Sequence, residues 1–328
     1  MILRRPSTRR LLIAAALVAA AAAGVAWWLG IFTDHGFVEY PMLRRTDIPT
    51  AVAVAPDGTV WFTIEFSDAI GRLRNGRLET ISKGKQNVEP IGLAVDAAGF
   101  AWYTDGPMRA ISRIAPDGAI TSFTLATPIA TLARLAVASD GAVWFADGTS
   151  FSVTRLKDGV FTPHDLGQLF ATPFGVAVAS DGTVWATVQN TNKLVRIAPS
   201  GEMVQLDAPT RASGLGDVAV DGHGAVWFAE LRANKIGRYA GGRFSEFPIP
   251  TAKAGLTGLA VAPDGAVWFT ELRTGKLGRL RDGVVREFAL PRRRARPFGV
   301  AVDAAGNVWY TDLAGWLGTL PAERARAR

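Results

Sequence analysis

The sequence predicts an all-β fold, a seven-bladed β-propeller of four-stranded antiparallel blades, preceded by an N-terminal apolar helix. Two observations predict this fold. A tryptophan recurs seven times at intervals of 41 or 42 residues, and the same short motifs surround each copy. The recurring residues are Trp61, Trp102, Trp144, Trp185, Trp227, Trp268 and Trp309. Seven near-equal units argue against two stacked β-sandwiches, because nothing in them marks a division into two groups.

Each repeat contains four short segments in which apolar and polar residues alternate, as they do in β-strands. We name them a (Gly-Val-Ala-Val), b (Val-Trp-Phe-Thr), c (Lys-Ile-Gly-Arg) and d (Glu-Phe-Pro). Pairs such as Asp264-Gly265 and Asp282-Gly283 separate a from b and c from d, and they tolerate the positive φ of tight hairpin turns. We expect strand a, with its small side chains, beside the central axis, and the tryptophan between neighbouring blades.

The two ends of the repeat array predict a closed ring. The last repeat stops after strand c, near Leu320, and has no strand d. The missing motif stands before the first repeat as residues 37–41, which closely match residues 244–248. An N-terminal strand that completes the seventh blade would leave only short protected edges. The propeller is therefore assigned to residues 37–320, and residues 321–328 are interpreted as a basic C-terminal tail.

Residues 1–36 are interpreted as a signal peptide or a membrane anchor. Residues 1–10 carry four arginines and no acid, and residues 11–32 are uncharged. A helix of that length measures about 33 Å, enough to cross a bilayer core of roughly 30 Å. Small residues near Ala23 favour cleavage, whereas Trp27 and Trp28 favour an uncleaved anchor. Both alternatives export the propeller to the periplasmic or extracellular face, and the second anchors it to the inner membrane.

Composition and charge exclude several classes of function. The chain has no cysteine, which excludes disulfides, thiolate metal sites and a cysteine nucleophile. Its net charge is +7, but the first 32 and the last six residues together hold six of these charges, which leaves +1 for the body. A nearly neutral body argues against nucleic-acid binding. The expected partner is a small-molecule ligand or an envelope protein, with membrane contact only through the N-terminal segment.

Carboxylates recur at the end of strand b. In a propeller the b–c and d–a loops share one face, and the third residue after the tryptophan reaches that face in every repeat. Five of these seven residues are acidic: Asp105, Asp147, Glu230, Glu271 and Asp312. A ring of carboxylates could bind Mg²⁺ or Ca²⁺, or hold two acids of different pKa for proton transfer. Alternatively, each acid accepts backbone N–H groups or pairs with a cation, and the regular repetition favours this structural role.

For the metal hypothesis the candidate ligands are Asp312, Glu271 and Glu230, and Mg²⁺ is the one cofactor considered. A second series lies in the d–a loops, just before the start of strand a. It varies from blade to blade, as the residues of a binding site do, and reads Thr50, Ile91, Ala133, Phe174, Gly216, Thr257 and Phe298. From this series we name Phe174, Thr257 and Phe298 as candidate ligand-binding residues.

A cluster of arginines lies in the d–a loop that enters the last blade. Its members are Arg292, Arg293, Arg294 and Arg296. One interpretation is a solvated loop that pairs with the nearby acids. The other is an anion-binding wall aimed at a carboxylate or phosphate of a ligand, and it adds Arg296 to the candidate ligand-binding residues.

The motifs Trp-Phe-Thr-Glu, Lys-Ile-Gly-Arg and Pro-x-Gly-Val, repeated in this sevenfold array, resemble the streptogramin B lyase (virginiamycin B lyase) family. The resemblance covers about residues 37–320. It implies a monomeric seven-bladed propeller, in a family that opens a cyclic depsipeptide at an ester by Mg²⁺-dependent elimination. The family's site motifs are Glu-Pro-His-Gly in the last repeat, Pro-His in the preceding repeat, and a glutamate after the Trp-Phe of the last blade.

These motifs are only partly present in this chain. Glu-Pro-His-Gly corresponds to residues 296–299, so Arg296 stands at the metal-binding glutamate and Phe298 at the basic histidine. The preceding histidine corresponds to Thr257, and the final acid is retained as Asp312. Phenylalanine cannot remove a proton, and an arginine repels a divalent cation. The catalytic residues therefore remain unassigned.

The three histidines of the chain do not replace the missing ones. His35 follows the apolar segment, His164 lies in a strand d, and His223 lies in an a–b turn on the opposite face.

Three hypotheses about function follow. The chain is a lyase-like propeller that binds a ligand or partner without the elimination machinery; or it is a metal-dependent carbon–oxygen lyase that opens a cyclic ester with Glu230, Glu271 and Asp312; or it is an envelope protein-interaction scaffold.

Overall fold

A computed structural model describes residues 36–84 and 90–327, and within these ranges the chain forms seven four-stranded antiparallel sheets and one short helix. The predicted seven-bladed propeller is thereby confirmed. The apolar helix predicted within residues 1–36, with its role as signal peptide or membrane anchor, lies almost entirely outside the described residues. Within the described ranges, no helix is long and apolar enough to cross a membrane.

Each blade holds its four strands in the sequence order a, b, c, d from the axis outward. The a strands are β2 (Ile48–Val54), β6 (Leu93–Val95), β10 (Leu132–Val137), β14 (Pro173–Val178), β18 (Leu215–Val220), β22 (Leu256–Val261) and β26 (Pro297–Val302). The b strands are β3 (Val60–Glu65), β7 (Ala101–Asp105), β11 (Val143–Asp147), β15 (Val184–Val188), β19 (Val226–Glu230), β23 (Val267–Glu271) and β27 (Val308–Asp312).

The outer half of each blade consists of strands c and d. The c strands are β4 (Ala69–Arg74), β8 (Ala110–Ile114), β12 (Ser152–Lys157), β16 (Lys193–Ile197), β20 (Lys235–Ala240), β24 (Lys276–Arg281) and β28 (Trp316–Leu320). The d strands are β5 (Arg77–Ser82), β9 (Ile120–Thr124), β13 (Val160–Asp165), β17 (Met203–Asp207), β21 (Arg243–Pro248), β25 (Val284–Ala289) and, for the last blade, β1 (Val38–Pro41). Blades are numbered 1 to 7 in the order of their a strands.

The a strands form a closed ring. Each contacts the a strands of the two flanking blades, and β26 of blade 7 contacts β2 of blade 1. The last blade is completed by β1, which pairs antiparallel with β28 and places Val38 opposite Thr319 and Pro41 opposite Trp316. The N-terminal strand therefore closes the ring, as the sequence predicts.

A polar network fastens this closing strand. Glu39 of β1 accepts a hydrogen bond from the Tyr310 hydroxyl at 2.6 Å and forms an ion pair with Arg292 at 2.6 Å. The Arg292 guanidinium also pairs with Asp312 at 2.5 Å and lies 4.3 Å from the ring centroid of Trp316. Arg292 thus acts as a structural cation between the first and last strands, which agrees with the interpretation of a loop paired to nearby acids.

The recurring tryptophans form the core between blades. Trp144 of blade 3 packs with Val176, Val184 and Ala186 of blade 4, and each of the other six tryptophans packs against the next blade in the same way. The predicted position between neighbouring blades is therefore confirmed. The 41-residue period in the sequence is the spacing of one such apolar interface from the next.

In four blades the glycine of strand c makes room for the aromatic residue that follows the tryptophan, whereas blades 2 and 3 place a serine or a threonine opposite that aromatic residue. A Cβ atom at Gly278 would overlap the ring of Phe269, its partner across the β23–β24 pair, and three other blades repeat this arrangement. Blade 4 supports the explanation because both positions change there. Ala186 replaces the aromatic residue, and Val195 occupies the place of the glycine opposite it.

A threonine in strand b links each of four blades to the next one near the axis. In blade 4 the Thr187 hydroxyl accepts the N–H of Gly175 at 2.9 Å and donates to the carbonyl of Gly216 in blade 5 at 2.6 Å. Blades 1, 6 and 7 make the same contacts through Thr63, Thr270 and Thr311. We call this arrangement the threonine link.

Replacing Thr187 by valine is expected to lower the free energy of unfolding by about 1–3 kcal/mol. Valine preserves the shape but leaves a buried N–H and a buried carbonyl without their partner, which is the larger part of the cost of losing such a bond. The midpoint of urea unfolding measures the change. Thr187→Ser retains the hydroxyl and serves as the control; equal losses in the two variants would contradict the role assigned to the threonine link.

The predicted basic tail contains a short helix, α1 (Ala322–Ala327), which packs on the face that carries the a–b turns. The N–H of Ala322 donates to Asn307 Oδ1 at 2.8 Å, and Arg326 donates to the carbonyl of Ala305 at 2.6 Å. Arg279 of blade 6 donates to the carbonyl of Ala325. The tail therefore covers the side of the propeller opposite the b–c and d–a loops.

Candidate functional site

The central channel opens into a cavity of about 360 Å³ on the face of the b–c and d–a loops. We call this cavity the cup. It is lined by Thr50, Glu65, Ile91, Phe174, Gln189, Gly216, Leu231, Leu256, Thr257, Phe298 and Leu313. A concave, mostly apolar wall with a few polar groups is typical of small-molecule sites, and this volume lies within their usual range.

Two positions of the repeat supply nearly the whole wall. The first is the variable d–a series, of which every member except Ala133 lines the cup. In six blades the register of strands a and b shifts at this point through a β-bulge, a feature that redirects side chains at strand ends. The second position is the fourth residue after the recurrent tryptophan, and four of its residues line the cup: Glu65, Gln189, Leu231 and Leu313.

Three of the four candidate ligand-binding residues meet in the cup: Phe174, Thr257 and Phe298. The fourth, Arg296, has an exposed side chain and is absent from the cup wall; its backbone N–H donates to Asp312 at 2.9 Å. Arg293 and Arg294 are likewise exposed. That these residues contact a ligand stays a prediction.

The recurrent carboxylates are buried and do not line the cup. Each of the five residues is at most 3% exposed. Asp105 pairs with Lys83 at 3.3 Å, Asp147 accepts the Ser150 hydroxyl at 2.8 Å, and Asp312 accepts the N–H groups of Arg296 and Ala314 besides its ion pair with Arg292. The contacts of these three acids are those of the structural alternative, in which the acid accepts N–H or hydroxyl groups or pairs with a cation.

The three candidate metal ligands do not form a cluster. In the described part of the chain, no group of three acidic or histidine side chains is close enough to hold a metal ion. At the position suggested by the family resemblance, the oxygens of Asp312 are already engaged, and Arg296 and Phe298 offer no oxygen or imidazole ligand. These residues do not fit a Mg²⁺ shell, and the assignment of Asp312, Glu271 and Glu230 to a metal stays a prediction.

Two of the buried carboxylates have strongly shifted pKa values. Burial raises the pKa of Glu230 to about 8, with a further contribution from the negative charge of Glu246. Burial also raises the pKa of Glu271 to about 7, although a hydrogen bond from Thr274 opposes the shift. Among the described residues, no hydrogen-bond donor reaches either oxygen of the Glu230 side chain. A pKa of about 8 favours the protonated form of Glu230 at neutral pH.

Replacing Glu230 by glutamine is expected to stabilise the propeller at alkaline pH. The folded-state pKa of about 8 exceeds the ordinary value of 4.5, so the folded protein holds this proton more tightly than the unfolded chain does. The contribution of Glu230 to stability is therefore fully present below pH 4.5 and is lost as the pH rises through 8. The melting temperature of Glu230→Gln should therefore exceed that of the wild type by a margin that grows from pH 5 to pH 9. Glu202→Gln, at an exposed position, is the control; a margin independent of pH would contradict the shift.

An ion pair next to the cup joins strands a of blades 3 and 5. The Arg134 guanidinium of blade 3 lies 3.3 Å from the Asp217 carboxylate of blade 5, and the two side chains are 11% and 14% exposed. Arg134 also donates to the carbonyl of Ile91 at 2.8 Å, and its guanidinium lies 6.0 Å from the ring centroid of Phe174. Burial raises the pKa of Asp217, and the charge of Arg134 opposes that rise. We call these two residues the axial pair.

Exposed apolar side chains surround the cup on its loops. Phe66, Ile129, Leu169 and Phe170 are between 55% and 80% exposed, and all four lie in b–c or d–a loops. Phe66 and Phe170 also have positive φ values of 55° and 62°, which bulky residues rarely adopt. Large apolar side chains that are exposed together on one face are typical of a binding surface. We call these four residues the apolar rim.

The described histidines lie away from the cup. His164 packs against Trp144 with a centroid distance of 5.0 Å, and burial lowers its pKa. His223 lies in an a–b turn on the opposite face, where its N–H donates to Asp221. His35 lies outside the described residues. The structure therefore brings neither described histidine to the site.

Comparison with known proteins identifies the family. A sequence profile described as the virginiamycin B lyase family matches residues 29–156 and 109–324. Virginiamycin B lyase from Nocardia farcinica is 35% identical over 203 residues, 61% of this chain and 70% of the relative. Crystallised virginiamycin B lyase from Staphylococcus aureus, a catalytically inactive histidine-to-alanine variant with quinupristin, is 26% identical with a TM-score of 0.82, covering 86% of this chain and 98% of its own. This chain belongs to the virginiamycin B lyase family.

Proposed function

We propose that this chain is an exported, virginiamycin B lyase-like propeller that binds a ligand in the cup and lacks the family's full elimination machinery. The observation that carries the proposal is the pair of cup residues at the positions of the family's histidines. Phe298 has no proton acceptor. The hydroxyl of Thr257 lies 2.9 Å from Thr270 Oγ1 and donates to the carbonyl of Phe298 at 3.0 Å, so it serves the blade contact.

The relative from Staphylococcus aureus supports this assignment of roles. That protein is catalytically inactive when one histidine is replaced by alanine. The cup of this chain contains no histidine within the described residues, and the retained acid Asp312 is tied to Arg292 and to two backbone N–H groups. Elimination requires a base for the proton next to the ester carbonyl, and neither Phe298 nor Thr257 supplies one.

The shape and chemistry of this face favour a ligand that inserts a compact apolar group into the cup and has a larger body outside it. The cup of about 360 Å³ accommodates one aromatic or aliphatic group, with Phe174 and Phe298 as its aromatic walls. The apolar rim extends the surface outward, where a cyclic depsipeptide would place the rest of its ring. Because quinupristin is bound by the Staphylococcus aureus relative, a streptogramin B is the first compound to test.

The proposal is tested by separating binding from ring opening. The full chain is incubated with a streptogramin B and Mg²⁺, and the product is followed by chromatography and mass spectrometry, with the Staphylococcus aureus lyase as the positive control. We expect the compound to remain intact. Binding is followed by calorimetry; Phe298→Ala should weaken it about tenfold, whereas Val284→Ala, on an exposed outer strand, should not. Ring opening at an enzymatic rate would contradict the proposal.

A complementary experiment restores the family residues. The variant Arg296→Glu, Thr257→His, Phe298→His is expected to gain Mg²⁺-dependent ring opening that the wild type lacks, because it returns a base and a metal ligand to the same positions. A gain in this variant would locate the missing chemistry at these three residues. Activity in the wild type equal to that of the variant would show that other residues carry the reaction.

The location and oligomeric state form the last part of the proposal. The basic and apolar sequence of residues 1–36 supports export, either with cleavage or with retention in the inner membrane. Fractionation of the source cells and the intact mass of the recovered protein distinguish the two. We expect a monomer by light scattering. Recovery of the full-length chain from the cytosol would contradict export.

A further inference from the structure

Blades 3 and 5 differ from the other five blades at two positions next to the axis, and both positions change in each of these two blades. In blades 1, 2, 4, 6 and 7 a small residue, glycine or alanine, follows the d–a series residue, and a threonine stands in strand b. Blade 3 has Arg134 and Ala146 at these two positions, and blade 5 has Asp217 and Ala229. The threonine is thus lost where a charged side chain is gained. The smaller alanine leaves space for that side chain beside the axis.

Blades 3 and 5 lose the threonine link through these replacements, so better packing alone does not explain why Arg134 and Asp217 are present. A Cβ atom at the equivalent Gly175 would come within 3.0 Å of the carbonyl oxygen of Gly216, which shows how closely neighbouring blades approach at this level. A buried ion pair is also weak evidence for stability, because burying two charges offsets much of their attraction. The residues that break a repeat are those expected to serve a site.

The axial pair lies against the wall of the cup. Arg134 bonds to the carbonyl of Ile91 and lies beside the ring of Phe174, and both of those residues line the cup. Asp217 directly follows Gly216, another residue of the wall. The pair therefore lies directly behind the wall of the cup, next to residues that line it.

Both members of the pair have hydrogen-bonding capacity to spare. Within the described structure, Nε of Arg134 has no hydrogen-bond acceptor and Nη2 has only its ion-pair contact with Asp217 at 3.3 Å; both nitrogens are buried. The two Asp217 oxygens accept the N–H groups of Val218 at 3.1 Å and Leu259 at 3.2 Å, whereas a carboxylate accommodates about four such bonds. The pair thus presents donors and acceptors side by side with no net charge.

We propose that the axial pair recognises one uncharged secondary amide of the ligand, with Arg134 donating to the amide carbonyl and Asp217 accepting the amide N–H. The inference rests on the proposed function of the cup as a ligand site and adds the residues that would bind an amide next to the apolar group of that ligand. A neutral pair suits a neutral amide, because it offers a donor and an acceptor side by side and has no net charge of its own to balance a charged group.

The test compares two isosteric probes in protein-observed NMR titrations. N-benzylacetamide carries the amide N–H, and benzyl acetate has an ester oxygen in its place. We expect the full chain to bind the amide about tenfold more tightly, the effect of one hydrogen bond to a charged group. Equal affinity for the two probes would overturn the amide assignment while leaving the cup as a ligand site. No binding of either probe would overturn the cup itself as a site for such groups, and this inference with it.

A matched variant isolates the contribution of the pair. Arg134→Gly, Ala146→Thr, Asp217→Gly, Ala229→Thr gives blades 3 and 5 the residues of the other blades; we call it the blade-restored variant. Its preference for the amide is expected to fall below about twofold while benzyl acetate still binds. An unchanged preference would contradict the proposal. Asp217→Asn, which keeps the shape and removes the charge, gives a second measurement and should lower the preference in the same direction.

Discussion

Replacing Asp217 by alanine is expected to lower the free energy of unfolding by about 3–5 kcal/mol, the largest effect of a single substitution that we predict. The Arg134 side chain is only 11% exposed in the wild type, and the variant removes its counter-charge. Removing one member of a buried ion pair has a cost of this size, because the remaining charge stays in a medium of low polarity. The shift of the urea unfolding midpoint measures it.

The blade-restored variant is the control for this prediction. It removes both charges and adds two threonine links, so it is expected to be at least as stable as the wild type. A loss in this variant as large as in Asp217→Ala would contradict the view that an unpaired charge causes the destabilisation. A neutral effect of Asp217→Ala would show that the axial pair is hydrated and contributes little.

Replacing Gly278 by alanine is expected to lower the free energy of unfolding by about 2–3 kcal/mol, although only one methyl group is added. That group would overlap the ring of Phe269, which lies in a closely packed interface between blades. Gly222→Ala is the matched control, because a Cβ atom there meets nothing within 4 Å and the backbone does not have positive φ. Its effect should stay within about 0.5 kcal/mol.

The cause of this loss is tested in a second background. In Phe269→Ala the ring is gone, so adding Gly278→Ala should have almost no further effect on the unfolding midpoint. Blade 4 provides the natural precedent, since Ala186 stands opposite Val195 there. Additive losses in the double variant would contradict the steric explanation for the glycine of strand c.

The architecture could be predicted from the sequence because the same contacts, and the residues that make them, recur in every repeat. The tryptophan period marks one interblade interface after another, and the match of residues 37–41 to residues 244–248 fixes how the ring closes. The cup could be predicted in part for the same reason. The d–a series varies among blades, and residues such as Phe174 and Phe298 therefore stood out against a regular background.

The rest of the site depends on the directions of side chains and on distances between blades, which the repeated motifs do not reveal. Side chains alternate along a strand, so the buried acid Glu230 and the cup residue Leu231 point to opposite sides. The regular series of acids in the sequence marks the first of these positions and not the second. The axial pair joins residues of two non-adjacent blades. The simultaneous loss of threonine at Ala146 and Ala229 was the sequence feature that could have revealed it.

The decisive experiment is a crystal structure of the full chain soaked with a streptogramin B and Mg²⁺. We expect an intact cyclic ester, with one apolar group between Phe174 and Phe298 and the body of the ring on the apolar rim. A linearised product in the cup would contradict the claim that elimination is absent. An intact compound bound elsewhere, with an empty cup, would contradict the claim that the channel mouth is the ligand site.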